Sequence, residues 1–370
     1  MTKTTIIIDS THPLSHNNQC FDPSIANTGP GYWINVQLAS QARNRGYEIV
    51  TADVYLGMAS PPGVSLCVTD MLTPNTNRIL EKGAQPAVCL SMESPLIARR
   101  FYHEMVRYAG RFHHNFQFRG TKDRLRKSDT IFHPMYFPMD TNVPLPLKPW
   151  DTRRLLMLVS TNKRAIPQQF GNPRESARTI FRHLRSLYYQ TVDPWMRLRE
   201  IYIDRIEAIY HFAQRADFQL YGMNWDKPIP GFGEEYRQAA RRAYAGPLDY
   251  AQKRSVMSNF KFALCFENCA FPGYVTEKIF DCLLVGCIPV YFGAPDICDF
   301  VPPETFIDFQ RFKDYTELEL FLDSISEAEA NHYLQAGRDF LASQAYMRFH
   351  QNTFVSELMD VFEQMSGGTK

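Results

Sequence analysis

Apolar residues fill positions 260–266 (FKFALCF) without a sustained two-residue alternation, the pattern of a strand buried on both faces of a parallel sheet. Pro272 and Gly273 then break the chain. Thr276 stands as a helix N-cap, and Ile279, Phe280, Leu283 and Leu284 recur with the spacing of one helical face. Gly286 supplies a terminator. A second apolar run, IPVYF at 288–292, completes a strand–helix–strand unit.

The same grammar recurs elsewhere. A strand is expected at 5–8, a helix at 32–45, Gly46, then a strand at 47–54: a β-α-β opening. The apolar run 87–92 predicts a strand. Ser94 and Pro95 follow it as N-cap and first residue of a helix running through Phe101 and Met105. The Pro-rich segment VPLPLKPWDT at 143–152 favours an extended linker and marks a domain boundary. Beyond it the pattern predicts a strand at 155–160, a long polar loop and a helix from about 175 to 187. A long helix at 193–213 opened by Asp193 and Pro194 comes next, then the strand and turn FQLYG at 218–222. Two C-terminal helices are expected within 327–365, without heptads or internal repeats. A chain of 370 residues exceeds what one core normally serves. The expected division is 1–148, 149–345 and a terminal helical segment 346–370.

Composition narrows the partners. Forty Lys and Arg against 39 Asp and Glu leave a net charge of +1, so no overall field favours nucleic acid or an anionic membrane, and any anion site must be local. Eight Cys include no C-x-x-C pair; ordinary buried thiols, with no metal site, are the expectation. No window is long and apolar enough for a transmembrane helix, and MTKTTIIIDS lacks the pattern of a signal peptide, so a cytoplasmic protein is expected, with peripheral contact at the inner face of the membrane left open.

Candidate chemistry gathers after the 260–266 strand. Asn268, Tyr274, Glu277 and Lys278 lie beyond its carboxyl end, where open α/β sheets bind ligands. A cation in the first turn of a helix opposes the macrodipole unless an anion shares that turn's free N–H groups, which suits a diphosphate. An ordinary surface Glu277–Lys278 pair is the other reading. The first strand–turn lacks G-x-G-x-x-G, since Gly29-Pro30-Gly31 is only a turn, and no Walker loop or Asp-x-Asp is present.

FEN, a gap, GYVTEK-I and a small residue before IPVYFG together resemble the donor-site signature of the family-10 glycosyltransferases, the α1,3/4-fucosyltransferases, in a bacterial version. The likeness extends upstream through Tyr244, Gly246, Lys253 and Lys261-Phe262 and downstream through Pro302-Pro303 and Phe306-Ile307, covering roughly 244–312. Cys269 stands where the family usually has Ser. The resemblance implies an α/β GT-B fold, two Rossmann-like domains facing a cleft: an N-terminal acceptor domain and a C-terminal nucleotide-sugar donor domain, with the last helix packing back on the first.

It also implies inverting transfer of fucose from GDP-fucose to a hydroxyl of a galactoside or an N-acetylglucosamine-containing glycan, α1,3-fucosyltransferase-like, with no cofactor and no essential metal. Glu93, in E-S-P, takes the place of the general base. Arg178 matches an arginine that meets the donor diphosphate, with Arg174 and Arg164 as alternatives. Asn268, Tyr274, Glu277 and Lys278 would hold the donor, and Asn162, Arg119, Lys253 and Glu267 are further contacts to donor or acceptor. His113, His114, Arg119 and His133 lie among aromatics that would line an acceptor pocket, with His113 and His114 read as structural. Two rivals remain: a transferase of this fold using another nucleotide sugar, and a non-catalytic nucleotide-sugar or glycan-binding protein.

Overall fold

The computed structural model describes residues 4–367 apart from 11, 26–31, 60–63, 72, 141–145, 164–183, 185–187, 189–190 and 230. Two units divide the chain. The first comprises 1–93, 100–141 and 347–370; the second comprises 94–99 and 142–346.

The first unit is a six-stranded parallel sheet in the order β2-β1-β3-β4-β5-β6. Its strands are β1 (Thr5–Asp9), β2 (Glu48–Thr51), β3 (Ser65–Asp70), β4 (Gln85–Leu90), β5 (His114–Gln117) and β6 (Ile131–Pro134). Ile6 faces Ile49 and Leu66 in register, so the apolar runs meet across the sheet. The helices are α1 (Tyr32–Asn44), α2 (Ala52–Gly57), α3 (Thr76–Glu81), α4 (Arg99–His103), α5 (Met105–Tyr108) and α6 (Lys122–Leu125). The strand expected at 47–54 stops at Thr51. The Asp53 carboxylate there accepts from the Thr51 hydroxyl at 2.6 Å and from the Asn17 N–H at 2.9 Å, turning the chain into α2. The helix expected from Ser94 also starts late, at Arg99. The Ser94 carbonyl instead closes a turn with the N–H groups of Ile97 and Ala98.

In the second unit a parallel sheet runs β10-β9-β7-β11-β13-β14. Its strands are β7 (Arg154–Val159), β9 (Phe218–Tyr221), β10 (Tyr244–Gly246), β11 (Phe260–Phe266), β13 (Ile288–Phe292) and β14 (Ile307–Asp308). A two-residue ribbon pairs β8 (Arg199–Glu200) with β12 (Cys269–Ala270). Helices α7 (Tyr202–Phe212), α8 (Glu234–Ala243), α9 (Tyr250–Met257), α10 (Glu277–Val285), α11 (Tyr315–Ser324) and α12 (Glu327–Leu341) surround it. Every residue of β13 is buried, as is β11 except Lys261, in agreement with the unalternating pattern. Phe262, Leu264, Phe266, Val290 and Phe292 form the core with Ile206, Ile209 and Phe212.

The long helix expected at 193–213 is broken. Asp193 does cap, accepting from the Trp195 N–H at 3.2 Å, but only a single 3-10 turn follows before β8 and then α7. The final helix α13 (Gln351–Met365) belongs to the first unit, packing on α1 with Arg45 paired to Glu363 at 2.8 Å. All eight Cys are free and all but Cys298 are buried. Among the described residues no helix is long and apolar enough to cross a membrane.

Candidate functional site

The carboxyl end of β11 delivers Glu267 and Asn268, and the loop that follows returns to start α10. Glu267 is wholly buried. Its carboxylate accepts from the Thr276 N–H at 2.9 Å, from the Thr276 hydroxyl at 2.8 Å and from Lys278 Nζ at 2.8 Å. Thr276 therefore occupies the N-cap position, as its sequence neighbourhood predicts, but its hydroxyl serves Glu267 instead of the helix. Gly286 ends α10 at φ +65°, the left-handed conformation that glycine adopts without steric cost.

Lys278 lies 3.7 Å from Glu277 as well as 2.8 Å from Glu267. Burial works to lower its pKa, but those two carboxylates outweigh it and hold the pKa above the ordinary lysine value. Glu277 shows the reverse balance. Burial raises its pKa, yet Lys278 and Lys253 bring it down to about 2, so the carboxylate stays ionised. The cation that looked unsupported in the first turn of a helix is thus supplied with carboxylates by the fold. Lys253 and Arg254 both hold Asp281, at 2.6 Å and 2.9 Å, which ties α9 to α10.

A residue that the sequence reading passed over stands beside this cluster. Arg205, on α7, is only 4% exposed. Its Nε and Nη2 donate to the Phe266 carbonyl at 3.1 Å and 2.6 Å, its Nη2 to Asn268 Oδ1 at 3.1 Å and its Nη1 to the Ser160 hydroxyl at 3.4 Å. All its partners are neutral. Among the described residues no carboxylate pairs with it, and it is near enough to Lys278 to oppose that residue's charge. Asn268 passes the arrangement on, donating from Nδ2 to the Tyr274 hydroxyl at 3.1 Å. Arg205, Asn268, Tyr274, Glu277 and Lys278 therefore form one group at the end of β11. A signal for Arg205 was available: Tyr202, Arg205, Ile206, Ile209 and Phe212 form one helical stripe, all buried, and a cation there is out of pattern.

Neighbouring strand ends are fixed closely. Gly222, at φ +127°, follows β9, and a Cβ there would lie 1.9 Å from the Ser160 carbonyl oxygen. Asn162 spends its amide on the carbonyls of Asn224, Lys227 and Pro228, clamping the loop after β9. Arg164, Arg174 and Arg178 lie outside the described residues.

In the first unit the parallel strands place Asp9, Asp70 and Glu93 at adjacent carboxyl ends, those of β1, β3 and β4. The Glu93 carbonyl accepts from the Tyr102 hydroxyl at 2.8 Å, which fixes the backbone carrying its half-buried side chain. Burial, together with the Glu93 and Asp9 charges, pushes the Asp70 pKa up to about 6. Arg119, exposed, begins a 3-10 turn just past the end of β5. His114 is buried and its Nδ1 lies 3.0 Å from His133 Nε2, a strand-to-strand contact consistent with a structural role. Among the described residues no three His, Cys, Asp or Glu side chains come together as metal ligands.

Two parallel-sheet α/β units are the architecture of the GT-B glycosyltransferase fold. The crystal structure of Anabaena HepE in complex with UDP is similar over 98% of this chain and 100% of that one, at 11% identity and a TM-score of 0.54, a likeness of fold alone. Residues 204–363 match the glycosyltransferase family 10 (fucosyltransferase) C-terminal model, and this part of the chain belongs to that family. Among curated relatives, an α-(1,4)-fucosyltransferase of Arabidopsis thaliana is 41% identical over 78 residues, 21% of this chain and 20% of that protein. The GDP-fucose protein O-fucosyltransferase 3 of Xenopus laevis is 33% identical over 81 residues, 22% and 17% of the two lengths. The chain thus matches about a fifth of the length of these relatives.

Proposed function

We propose that the protein is a fucosyltransferase that moves fucose from GDP-fucose to a glycan hydroxyl with inversion at the anomeric carbon, α1,3-fucosyltransferase-like. The observation that carries the reading is Arg205: a buried guanidinium without a carboxylate partner is costly unless an anion completes it. It stands next to Lys278 and near the start of α10, whose first N–H groups favour negative charge. Four of its five N–H groups are taken by protein acceptors, which leaves one Nη1 N–H and the charge of the cation for a diphosphate oxygen.

Family membership of residues 204–363 supports fucose as the sugar. The two relatives are named for different acceptors, an α-(1,4) glycan linkage and a protein hydroxyl, yet both are fucosyltransferases, and both match this chain over a short stretch. Their common ground is the fucosyl group that they transfer.

In the reaction an acceptor oxygen attacks the anomeric carbon on the face opposite the diphosphate. The bond to the diphosphate breaks, its electron pair leaves with GDP, and the acceptor proton passes to Glu93. Arg205 and Lys278 stabilise the charge that develops on the leaving group. Asn268 and Tyr274, already joined, position the donor, and the ionised Glu277 accepts from its hydroxyls. With these cations serving the diphosphate and no Asp-x-Asp in the chain, turnover is expected to persist in chelator; its abolition by EDTA and recovery with a divalent cation would refute this part.

Thermal unfolding with GDP, UDP, CMP, dTDP and GDP-fucose tests the donor, since a ligand at about 100 times its Kd adds roughly 2.7 kcal/mol. Stabilisation by GDP and GDP-fucose is the expected result. A response to UDP alone would keep the fold and replace the donor. GDP-fucose binding without transfer to any galactoside or N-acetylglucosamine-containing glycan would favour a binding protein.

A further inference from the structure

A cavity of about 520 Å³ opens where the turns on either side of β14, the outermost strand of the second unit's sheet, meet α11 and α12. Glu304, Arg311, Phe321, Ile325, His332 and Tyr333 are among the residues that line it, and none of the lining residues belongs to the group at the end of β11. The volume lies within the range of small-molecule sites, roughly 300–1,000 Å³.

The floor of the cavity is fixed. Phe321, Ile325 and Tyr333 are half-buried and pack on the core of the second unit, and the Phe312 ring braces that of Phe321 with centroids 5.2 Å apart. The rim is polar and unspent. Glu304 and Arg311 are exposed and, among the described residues, neither makes a side-chain hydrogen bond or an ion pair, although both line the same cavity. Glu329, also on the rim, is already occupied: its carboxylate accepts from the Ser326 N–H at 2.8 Å and the Ser326 hydroxyl at 2.7 Å, closing the start of α12. A donor fork and a carboxylate thus stand on one rim above half-buried rings without satisfying each other.

We propose that this cavity binds a short neutral saccharide. The flat carbon–hydrogen face of a pyranose stacks on the rings of Phe321 and Tyr333, and sugar hydroxyls, which both donate and accept, give protons to Glu304 and take them from Arg311. A phosphate-bearing ligand would meet the charges of Glu304 and Glu329, and a simple cation would meet that of Arg311, so the rim disfavours an ion of either sign. The inference stands on the second unit's own side chains and does not depend on the transferase reading.

The test is labelling of the full chain by lactose, maltose and N,N′-diacetylchitobiose, each carrying a photoactivated diazirine, with the cross-linked peptides identified by mass spectrometry. Labels are expected on peptides from 303–311 and 321–333, and an excess of the unmodified sugar should remove them. Arg311→Gln and Glu304→Gln each take away one charged partner of a hydroxyl and should weaken labelling there about ten-fold. Phe321→Leu keeps an apolar side chain in the floor but removes the flat ring, and should weaken it as well. An unchanged melting temperature shows that a variant is folded; should Phe321→Leu not fold, the two rim variants, both at exposed positions, carry the test. Competed labelling of these peptides that falls in the folded variants supports the proposal. No label on them from any of these sugars, label that the unmodified sugar does not compete, wild-type labelling of the folded variants, or displacement by glycylglycine or inorganic phosphate would each overturn it.

Discussion

Replacing Arg205 with lysine keeps a positive charge at the end of β11 but removes the planar fork. The native guanidinium makes two contacts with the Phe266 carbonyl, one with Asn268 and a long one with Ser160. An ammonium on a shorter stem can satisfy one of these acceptors and leaves another unpaired in a buried place. A hydrogen bond to a charged group contributes about 1.5–3 kcal/mol, so the free protein should lose about that much stability. The donor should lose a contact of the same kind. On the same scale this weakens GDP binding roughly ten- to a hundred-fold, because about 1.4 kcal/mol corresponds to a factor of ten. Urea unfolding measures the first quantity and isothermal titration calorimetry the second. The two readouts separate a scaffold from a binding group. Loss of stability with wild-type GDP affinity would show that Arg205 only braces the sheet, and the assignment of the diphosphate to this position would fall.

Glu93→Gln should lower turnover by about 10²–10⁴ while leaving the GDP affinity unchanged, because a positioned base acts only in the chemical step; full activity in this variant would remove Glu93 from the mechanism. Burial, with the neighbouring His114, lowers the His133 pKa to about 4, and burial together with His113 also lowers that of His114. Both rings are held neutral in the folded state while the unfolded chain takes up protons near the ordinary value of 6.5, so stability should be full above that pH and fall as pH drops towards 4. His133→Phe should flatten urea midpoints measured across that window, and an unaltered slope would assign the effect elsewhere. Gly222→Ala sets a Cβ against the Ser160 carbonyl oxygen at a left-handed φ, and strain with overpacking should destabilise the protein on the order of 2–4 kcal/mol; a melting temperature like that of the native protein would contradict the close approach.

What the sequence disclosed was the part governed by local rules. The unalternating apolar runs of β11 and β13, the helix between them and the glycine that ends it can all be read from neighbours a few residues apart. The break in the long helix expected at 193–213 depends on a distant partner. Residues 199–200 pair with 269–270, and the Ile201 N–H reaches the Asn268 carbonyl at 3.1 Å, a contact across more than sixty residues that helical periodicity does not encode. The group Asn268, Tyr274, Glu277 and Lys278 was legible because it follows a strand end. The pairing of Lys278 with Glu267 was not, since Glu267 lies eleven positions earlier and across a loop. Arg205 lies within the helix expected at 193–213, but its acceptors on Phe266, Asn268 and Ser160 are 61, 63 and 45 positions away, beyond what local periodicity encodes.

The buried carboxylate of Glu267 has a thermodynamic consequence beyond charge. By accepting from Thr276, it fastens the end of β11 to the start of α10, while the Gly273 N–H bonds to Asp296 at 2.8 Å and holds the middle of the loop between them. The segment 268–275 is thus held in place when the chain folds, and its conformational entropy is lost then. The heat-capacity change on nucleotide binding should therefore be the small one of a preformed surface losing water, without the large negative increment that accompanies coupled folding.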